Sequence, residues 1–220
     1  MTKGQLAALI DHTLLKPDAT PADIERLCHE AVEHGFAAVC VNPVYVPLAA
    51  RLLAGEKPVV CTVIDFPLGA GSAADKARQA EAVLAAGARE LDVVQPVGLL
   101  KAGEDREVVH HLRGVVAAAQ QSGALVKVIL ETALLTPAEI QRSCRLALEA
   151  GARFVKTSTG FGPGGATEEA VRLMRQAVGT AAGVKASGGI RDYETACRMV
   201  AAGASRIGAS ASVAILSGAP

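Results

Sequence analysis

The feature that most limits how this chain can fold is a phrase it repeats. "AVEHGFAAVCVNP", "VLAAGARELDVVQP", "ALEAGARFVKTSTG" and "MVAAGASRIGAS" each run from a helix tail through a glycine into an apolar strand. Gly35, Gly87, Gly151 and Gly203 stand where a helix ending in the left-handed conformation takes glycine, since no Cβ opposes that backbone. Looser copies surround Gly55, Gly123 and Gly183. Helix starts are marked by Thr20-Pro21 with Asp23, Thr136-Pro137 with Glu139, and Thr167 with Glu168-Glu169. Each combines a capping oxygen with acids in the first turn. The strands between are "LIDHT", "AAVCVN", "VVCTVIDF", "ELDVVQ", "LVKVILE", "FVKTST", "VKASG" and "SRIGA". Eight alternations predict an α/β chain folded as a single-domain (β/α)8 TIM barrel over residues 1–220. The alternative, an open doubly wound sheet, would usually carry G-x-G-x-x-G after its first strand, and none stands there.

Lys+Arg and Asp+Glu balance at 22 each, so no electrostatic case arises for nucleic acid or an anionic membrane as partner. The five cysteines are odd in number, scattered and without a C-x-x-C pair, as expected of reduced thiols in a cytoplasmic protein. The histidines have no zinc-type spacing. The first apolar stretch is broken at once by Asp11 and His12, too short for a secretion signal, and no later run approaches the length of a membrane span.

Lys127, Lys156 and Lys185 recur every 29 residues, about one βα unit, each within an apolar strand. Side chains alternate along a strand. Val126, Val128 and Leu130 therefore oppose Lys127, Ile129 and Glu131, and Lys156 shares a face with Phe154 and Ser158. Leu91 and Val93 oppose Asp92; Val184 and Ala186 oppose Lys185. If the uniformly apolar faces meet the helices, Asp92, Lys127, Lys156 and Lys185 point into the barrel. Taken alone, Lys127 reads as the ion-pair partner of Asp92 or Glu131; it is also counted among the candidate substrate-binding groups. Three ammonium groups against so few acids predict that one loses its proton near neutral pH. A neutral lysine amine is a nucleophile toward carbonyl carbon, which points to Schiff-base chemistry.

The segments "STGFGPGGAT", "SGGIRD" and "GASAS" follow the last three strands. Their glycines and hydroxyls offer backbone N–H groups to an anion where barrels of this kind commonly hold phosphate. Thr167 is read there as a helix cap and Gly165 as a point of loop flexibility.

The strings "IDHTLLKPDAT", "VCVNPVYV", "VIDFPLGA", "ELDVV", "VKVILET", "FVKTSTGFGPGGAT" and "VKASGGIR" occur in an order that resembles the deoxyribose-phosphate aldolase family over nearly the whole chain. The resemblance implies a class I aldolase that splits 2-deoxyribose 5-phosphate into acetaldehyde and glyceraldehyde 3-phosphate with neither cofactor nor metal. It implies that Lys156 forms the Schiff base, that Lys185 lowers the pKa of Lys156 and relays protons, and that Asp92 is the acid/base carboxylate. Phosphate-binding backbone falls on Gly188, Gly189 and on Gly208 to Ser210, with Thr13 and Thr159 as further pocket residues. Asp65, Gln95-Pro96 and Phe161 depart from the family's usual residues, which puts the pocket wall and the phosphate contacts in question. The expected partners are small sugar phosphates and aldehydes, and the expected assembly is a homodimer or homotetramer. Cys40 reads either as a residue near the barrel mouth or as a small buried hydrophobe. The alternatives on function are another phosphosugar-binding barrel, an isomerase or decarboxylase without a covalent intermediate, and a non-catalytic sugar-phosphate-binding protein.

Overall fold

The structure, a computed structural model, describes residues 1–219. Strands β1 (Ile10–Leu14), β2 (Ala38–Val41), β3 (Val59–Ile64), β4 (Glu90–Val94), β5 (Leu125–Ile129), β6 (Phe154–Lys156), β7 (Gly183–Ser187) and β8 (Arg206–Ala209) pair in parallel and in chain order. The sheet closes where β8 meets β1, with Ile10 opposite Ile207 and Asp11 opposite Gly208. Outside it lie α1 (Lys3–Ala7), α2 (Pro21–His34), α3 (Val46–Leu52), α4 (Ala73–Ala85), α5 (Val97–Ala102), α6 (Asp105–Gln121), α7 (Pro137–Glu149), α8 (Glu168–Val178), α9 (Tyr193–Ala201) and α10 (Ser212–Ser217). Closure removes every sheet edge and leaves two ends, of which the C-terminal one carries the βα loops.

The local signals act as their chemistry requires. Thr20 and Thr136 accept the N–H of Asp23 and Glu139, whose carboxylates reach back to the capping residues, and Thr167 accepts from Ala170. Gly35 ends α2 at φ 70°. The main core lies between the sheet and the helices. There α8 sets Ala170, Val171, Met174 and Val178 against the outward faces of the strands, among them Val155 and Val184. Met174 is fully buried, and truncating it to alanine would cost about 2–5 kcal/mol. Inside the barrel a second, smaller apolar cluster of Leu15, Ala38, Cys40, Cys61 and Val63 covers the β2–β3 wall. Charged side chains, among them Asp11, Asp92, Lys127 and Lys185, occupy much of the remaining interior.

Two strands end earlier than their apolar runs. β6 stops at Lys156 because the Thr157 hydroxyl donates to Ser187 O (3.0 Å) and accepts from Ser187 N (3.0 Å), replacing backbone pairing with a side chain. β5 stops at Ile129, and Glu131 turns the chain at φ 56°, a left-handed conformation rare for a residue with a Cβ. Among the described residues no helix is long and apolar enough to cross a membrane.

Candidate active site

Strand register brings the lysines together. Asp92 lies opposite Lys127, and Lys156 opposite Lys185. Lys156 is the last residue of its strand, which lifts its amine toward the C-terminal mouth while Lys127 and Lys185 stay deeper, each fully buried. All three meet on one carboxylate. Asp92 Oδ2 accepts from Lys156 Nζ and Lys185 Nζ, both at 2.8 Å. Oδ1 accepts from Lys127 Nζ at 2.8 Å and from Cys61 Sγ at 3.2 Å.

The interior holds more charge than strand alternation alone indicated. Asp11, Glu90 and Arg206 also point inward, so the cluster is not short of acids. Lys185 Nζ lies 2.5 Å from Asp11 Oδ2, and Lys127 Nζ lies 2.6 Å from Glu90 Oε2 rather than near Glu131. Arg206 closes the network on Asp11 (2.6 Å) and Glu90 (3.0 Å). Burial works against both deep ammonium groups. For Lys185 the carboxylates Asp11 and Asp92, and for Lys127 chiefly Asp92, outweigh it and hold both pKa values above the ordinary lysine range. Both are held in the charged form at rest. Asp92 is likewise a contest between burial, which raises its pKa, and Lys127, Lys156 and Lys185, which prevail and keep it well below the usual carboxylate range.

Lys156 differs from the other two in both access and partners. Among the described residues it has a single carboxylate neighbour, Asp92, where Lys185 has two, and it alone of the three lines the cleft at the barrel mouth. That cleft has a volume of ≈ 260 Å³. Thr13, Thr159, Gly188, Gly189, Gly208 and Ser210 line it together with Lys156, whereas Lys127 does not and lies sealed below. Lys127 is thus a partner of Asp92 and not a pocket residue, since its strand position places the amine beneath the Asp92 carboxylate. Two cationic residues of the cleft, Lys16 and Arg191, escaped the sequence reading; both sit in exposed loop positions where no periodicity marks them.

The loops around the cleft are fixed by specific contacts. Glu131 Oε2 accepts from the Thr159 hydroxyl (2.5 Å) and backbone N–H (3.3 Å), and Thr159 Oγ1 accepts from Phe161 N (3.0 Å). Gly165 is a close-contact position, not a point of flexibility: a Cβ there would lie 2.2 Å from Gly188 O. His12 faces the helices, with Nε2 2.7 Å from Glu30 Oε2 and Nδ1 3.0 Å from Ser212 Oγ, and so ties α2 and α10 to β1. Asp65 turns toward buried Lys76 and accepts from Gly71 N, and Gln95 donates to Leu130 O (2.8 Å). Of the three unusual positions only Phe161 lines the cleft, stacked edge-on with Phe66 at 5.3 Å. Cys40 is fully buried inside the barrel.

A larger cavity of ≈ 790 Å³ opens at the opposite end, beside Arg89, Gln120 and Arg153, and meets the charged network only at Glu90. Volume does not decide between the two. The smaller cleft is lined by Lys156 and lies at the face where barrels of this kind place their chemistry.

Fold and site together define a (β/α)8 barrel with a lysine-lined cleft at its C-terminal mouth. Residues 5–218 match the family described as DeoC/LacD family aldolase. The chain is 54% identical over 220 residues to a deoxyribose-phosphate aldolase of Carboxydothermus hydrogenoformans, covering 99% of this chain and 96% of that protein. It is 55% identical over 218 residues to deoxyribose-phosphate aldolase 1 of Bacillus licheniformis, covering 99% and 97%. The solved tetrameric deoxyribose phosphate aldolase of Aeropyrum pernix superposes with a TM-score of 0.93 at 39% identity, covering 98% of this chain and 91% of that one. The chain belongs to the DeoC/LacD family of aldolases.

Proposed function

We propose that this enzyme is a deoxyribose-phosphate aldolase that acts through a Schiff base on Lys156. It reversibly cleaves 2-deoxy-D-ribose 5-phosphate to acetaldehyde and D-glyceraldehyde 3-phosphate. The observation that carries the mechanism is the position of Lys156. It lines the cleft while its one carboxylate neighbour among the described residues, Asp92, is shared with Lys127 and Lys185.

In the cleavage direction neutral Lys156 attacks the aldehyde carbon of the open-chain sugar, and the carbinolamine loses water to give a protonated imine. Asp92, acting through a water molecule, removes the proton of the C3 hydroxyl. The C2–C3 bond breaks, its electron pair passes to the iminium nitrogen, and glyceraldehyde 3-phosphate leaves. The remaining enamine is protonated at carbon and hydrolysed, which releases acetaldehyde and regenerates the amine. Lys185 exchanges protons with Asp92 during turnover, and in its resting charged form it shares the carboxylate oxygen that Lys156 also uses.

The phosphate is assigned to the far wall of the cleft, where Gly188, Gly189, Gly208 and Ser210 let backbone approach an anion and Lys16 and Arg191 add positive charge. Binding energy at that end orients the reacting carbons over Lys156. Asp92, Lys156 and Lys185 are the catalytic residues, with Thr13 and Thr159 beside the substrate. We place the enzyme in the cytoplasm, in deoxyribose phosphate catabolism, as a homodimer or homotetramer; light scattering of the purified protein decides the assembly.

The reaction is tested by coupling acetaldehyde release to an alcohol dehydrogenase. The wild-type protein should release acetaldehyde from 2-deoxyribose 5-phosphate, and folded Lys156→Ala should release none. Equal rates from the two proteins would remove Lys156 from the mechanism.

A further inference from the structure

We propose that Cys40, Cys61 and Asp92 form a binding site for a thiophilic divalent cation of the zinc and cadmium class, and that filling it switches the enzyme off. β2 and β3 pair with Cys40 opposite Cys61, so both sulfurs leave the sheet on the same side, into the barrel. Cys61 lies opposite Glu90, which places Asp92 two residues further along the same face of β4. The two Sγ atoms and an Asp92 carboxylate oxygen all lie within 4.8 Å of one another. An ion with bonds of about 2.3 Å to sulfur and about 2.0–2.2 Å to oxygen spans such a triangle with small side-chain movements. All three residues are fully buried, and Lys127, Lys156 and Lys185 are the charged groups that hold Asp92.

The donor set selects the ion. Two thiolates and one carboxylate favour soft or borderline metals over magnesium or calcium, which prefer oxygen. Binding breaks two S–H bonds, forms two sulfur–metal bonds and one oxygen–metal bond, and sends two protons to solvent without oxidation or reduction. A dication enters as two protons leave, so the net charge of the cluster is unchanged. Lys127 Nζ, 3.2 Å from Cys61 Sγ, already gives that sulfur a cationic neighbour suited to a thiolate. Asp11, Cys61 and Glu90 form a second cluster, but with one sulfur and with both carboxylates held by Arg206 it is the poorer site.

An ion on Asp92 Oδ1 displaces Lys127 and withdraws the negative charge that Lys156 and Lys185 share. Inhibition therefore rests on the proposed role of Asp92, whereas binding does not. Cadmium chloride is titrated into the reduced, chelator-free protein while the ultraviolet cadmium–thiolate band and the initial cleavage rate are followed together. We expect a band of two thiolates per ion and a rate at least ~100-fold lower at saturation, the loss that follows when an acid/base group is taken away. EDTA should reverse both changes, and magnesium should cause neither. Cys40→Ser and Cys61→Ser should each weaken the band, and Cys197→Ser should leave it intact. A band that survives in Cys40→Ser, or a filled two-thiolate site with an undiminished rate, overturns the proposal. In the second case a separate measurement of Asp92→Asn tells whether the role of Asp92 fails with it. Because serine variants could misfold, anomalous diffraction from a cadmium-soaked crystal of the unaltered protein gives an independent answer: a peak between Cys40, Cys61 and Asp92 supports the site, and peaks only elsewhere refute it.

Discussion

Replacing Gly165 by alanine should weaken use of the phosphorylated substrate without altering any charged group. A Cβ at this position would lie 2.2 Å from Gly188 O and 2.6 Å from Gly188 C, although real Cβ atoms essentially never come within 3.0 Å of another heavy atom. The obstacle is backbone, so no side chain can swing aside. The same carbonyl accepts from Ala166 N at 3.0 Å, which couples the two loops. One of them must move by about 1 Å, and a misplacement of that size near bound substrate can cost ~100-fold in rate. That corresponds to about 2.7 kcal/mol of transition-state stabilisation. The assay compares kcat/KM for 2-deoxyribose 5-phosphate with that for 2-deoxyribose, with circular dichroism as the check on folding. The phosphorylated sugar should lose most of the factor and the unphosphorylated sugar far less, because the displaced loop carries Gly188 and Gly189 on the proposed phosphate wall. Equal losses would move the role of the loop to Lys156, and unchanged kinetics in a folded variant would refute the steric reasoning.

Removing Lys185 as Lys185→Leu should lower kcat by ~10²–10⁴, the usual worth of a general acid/base, while imine formation on Lys156 remains detectable by reduction; an unchanged kcat would end its proton-transfer role. Asp11→Asn leaves Lys185 with Asp92 and Arg206 with Glu90 as their remaining acids and should cost about 1.5–3 kcal/mol in urea unfolding, with no measurable loss contradicting the ion network. Burial raises the pKa of Asp11, but Lys185, Lys127 and Arg206 prevail and hold it below the ordinary value. Its contribution to stability is therefore present above about pH 4 and declines as the pH falls through the folded-state value. The stability profile of Asp11→Asn should be correspondingly flatter in acid. Burial pushes the thiols of Cys28 up to about 11 and Cys144 up to about 12, so native protein treated with iodoacetamide at neutral pH should be alkylated first at half-buried Cys197, with all 5 cysteines reacting after denaturation; peptide mapping that finds Cys28 or Cys144 modified first would contradict this.

Much of the barrel was legible because its signals are local. A glycine after a helix, a threonine before one and apolar alternation in a strand each report on a few neighbouring residues, and Gly35, Thr136 and Val184 act as those signals require. The convergence of Asp92, Lys127, Lys156 and Lys185 was legible for the same reason: each stands alone against an apolar face. Asp11 was obscured because His12 beside it is also polar, which leaves no apolar face to set its direction. Arg206 and Glu90 open their strands, where alternation has barely begun. Strand tilt then joins residues of β1, β4 and β8 across the interior, a relation that no single strand encodes. The close approach of Gly165 to Gly188 and the takeover of β6 pairing by the Thr157 hydroxyl belong to the same class of contact, made between segments distant in sequence.

The central claim is that Lys156 forms a covalent imine with the substrate aldehyde. Its most direct test is borohydride reduction of the protein mixed with 2-deoxyribose 5-phosphate or acetaldehyde, followed by mass mapping of the peptides. A reduced adduct on the peptide containing Lys156, absent from Lys156→Ala, is the predicted result. An adduct on Lys185 would keep the chemistry and move the nucleophile; folded, substrate-binding protein with no adduct would contradict the covalent mechanism.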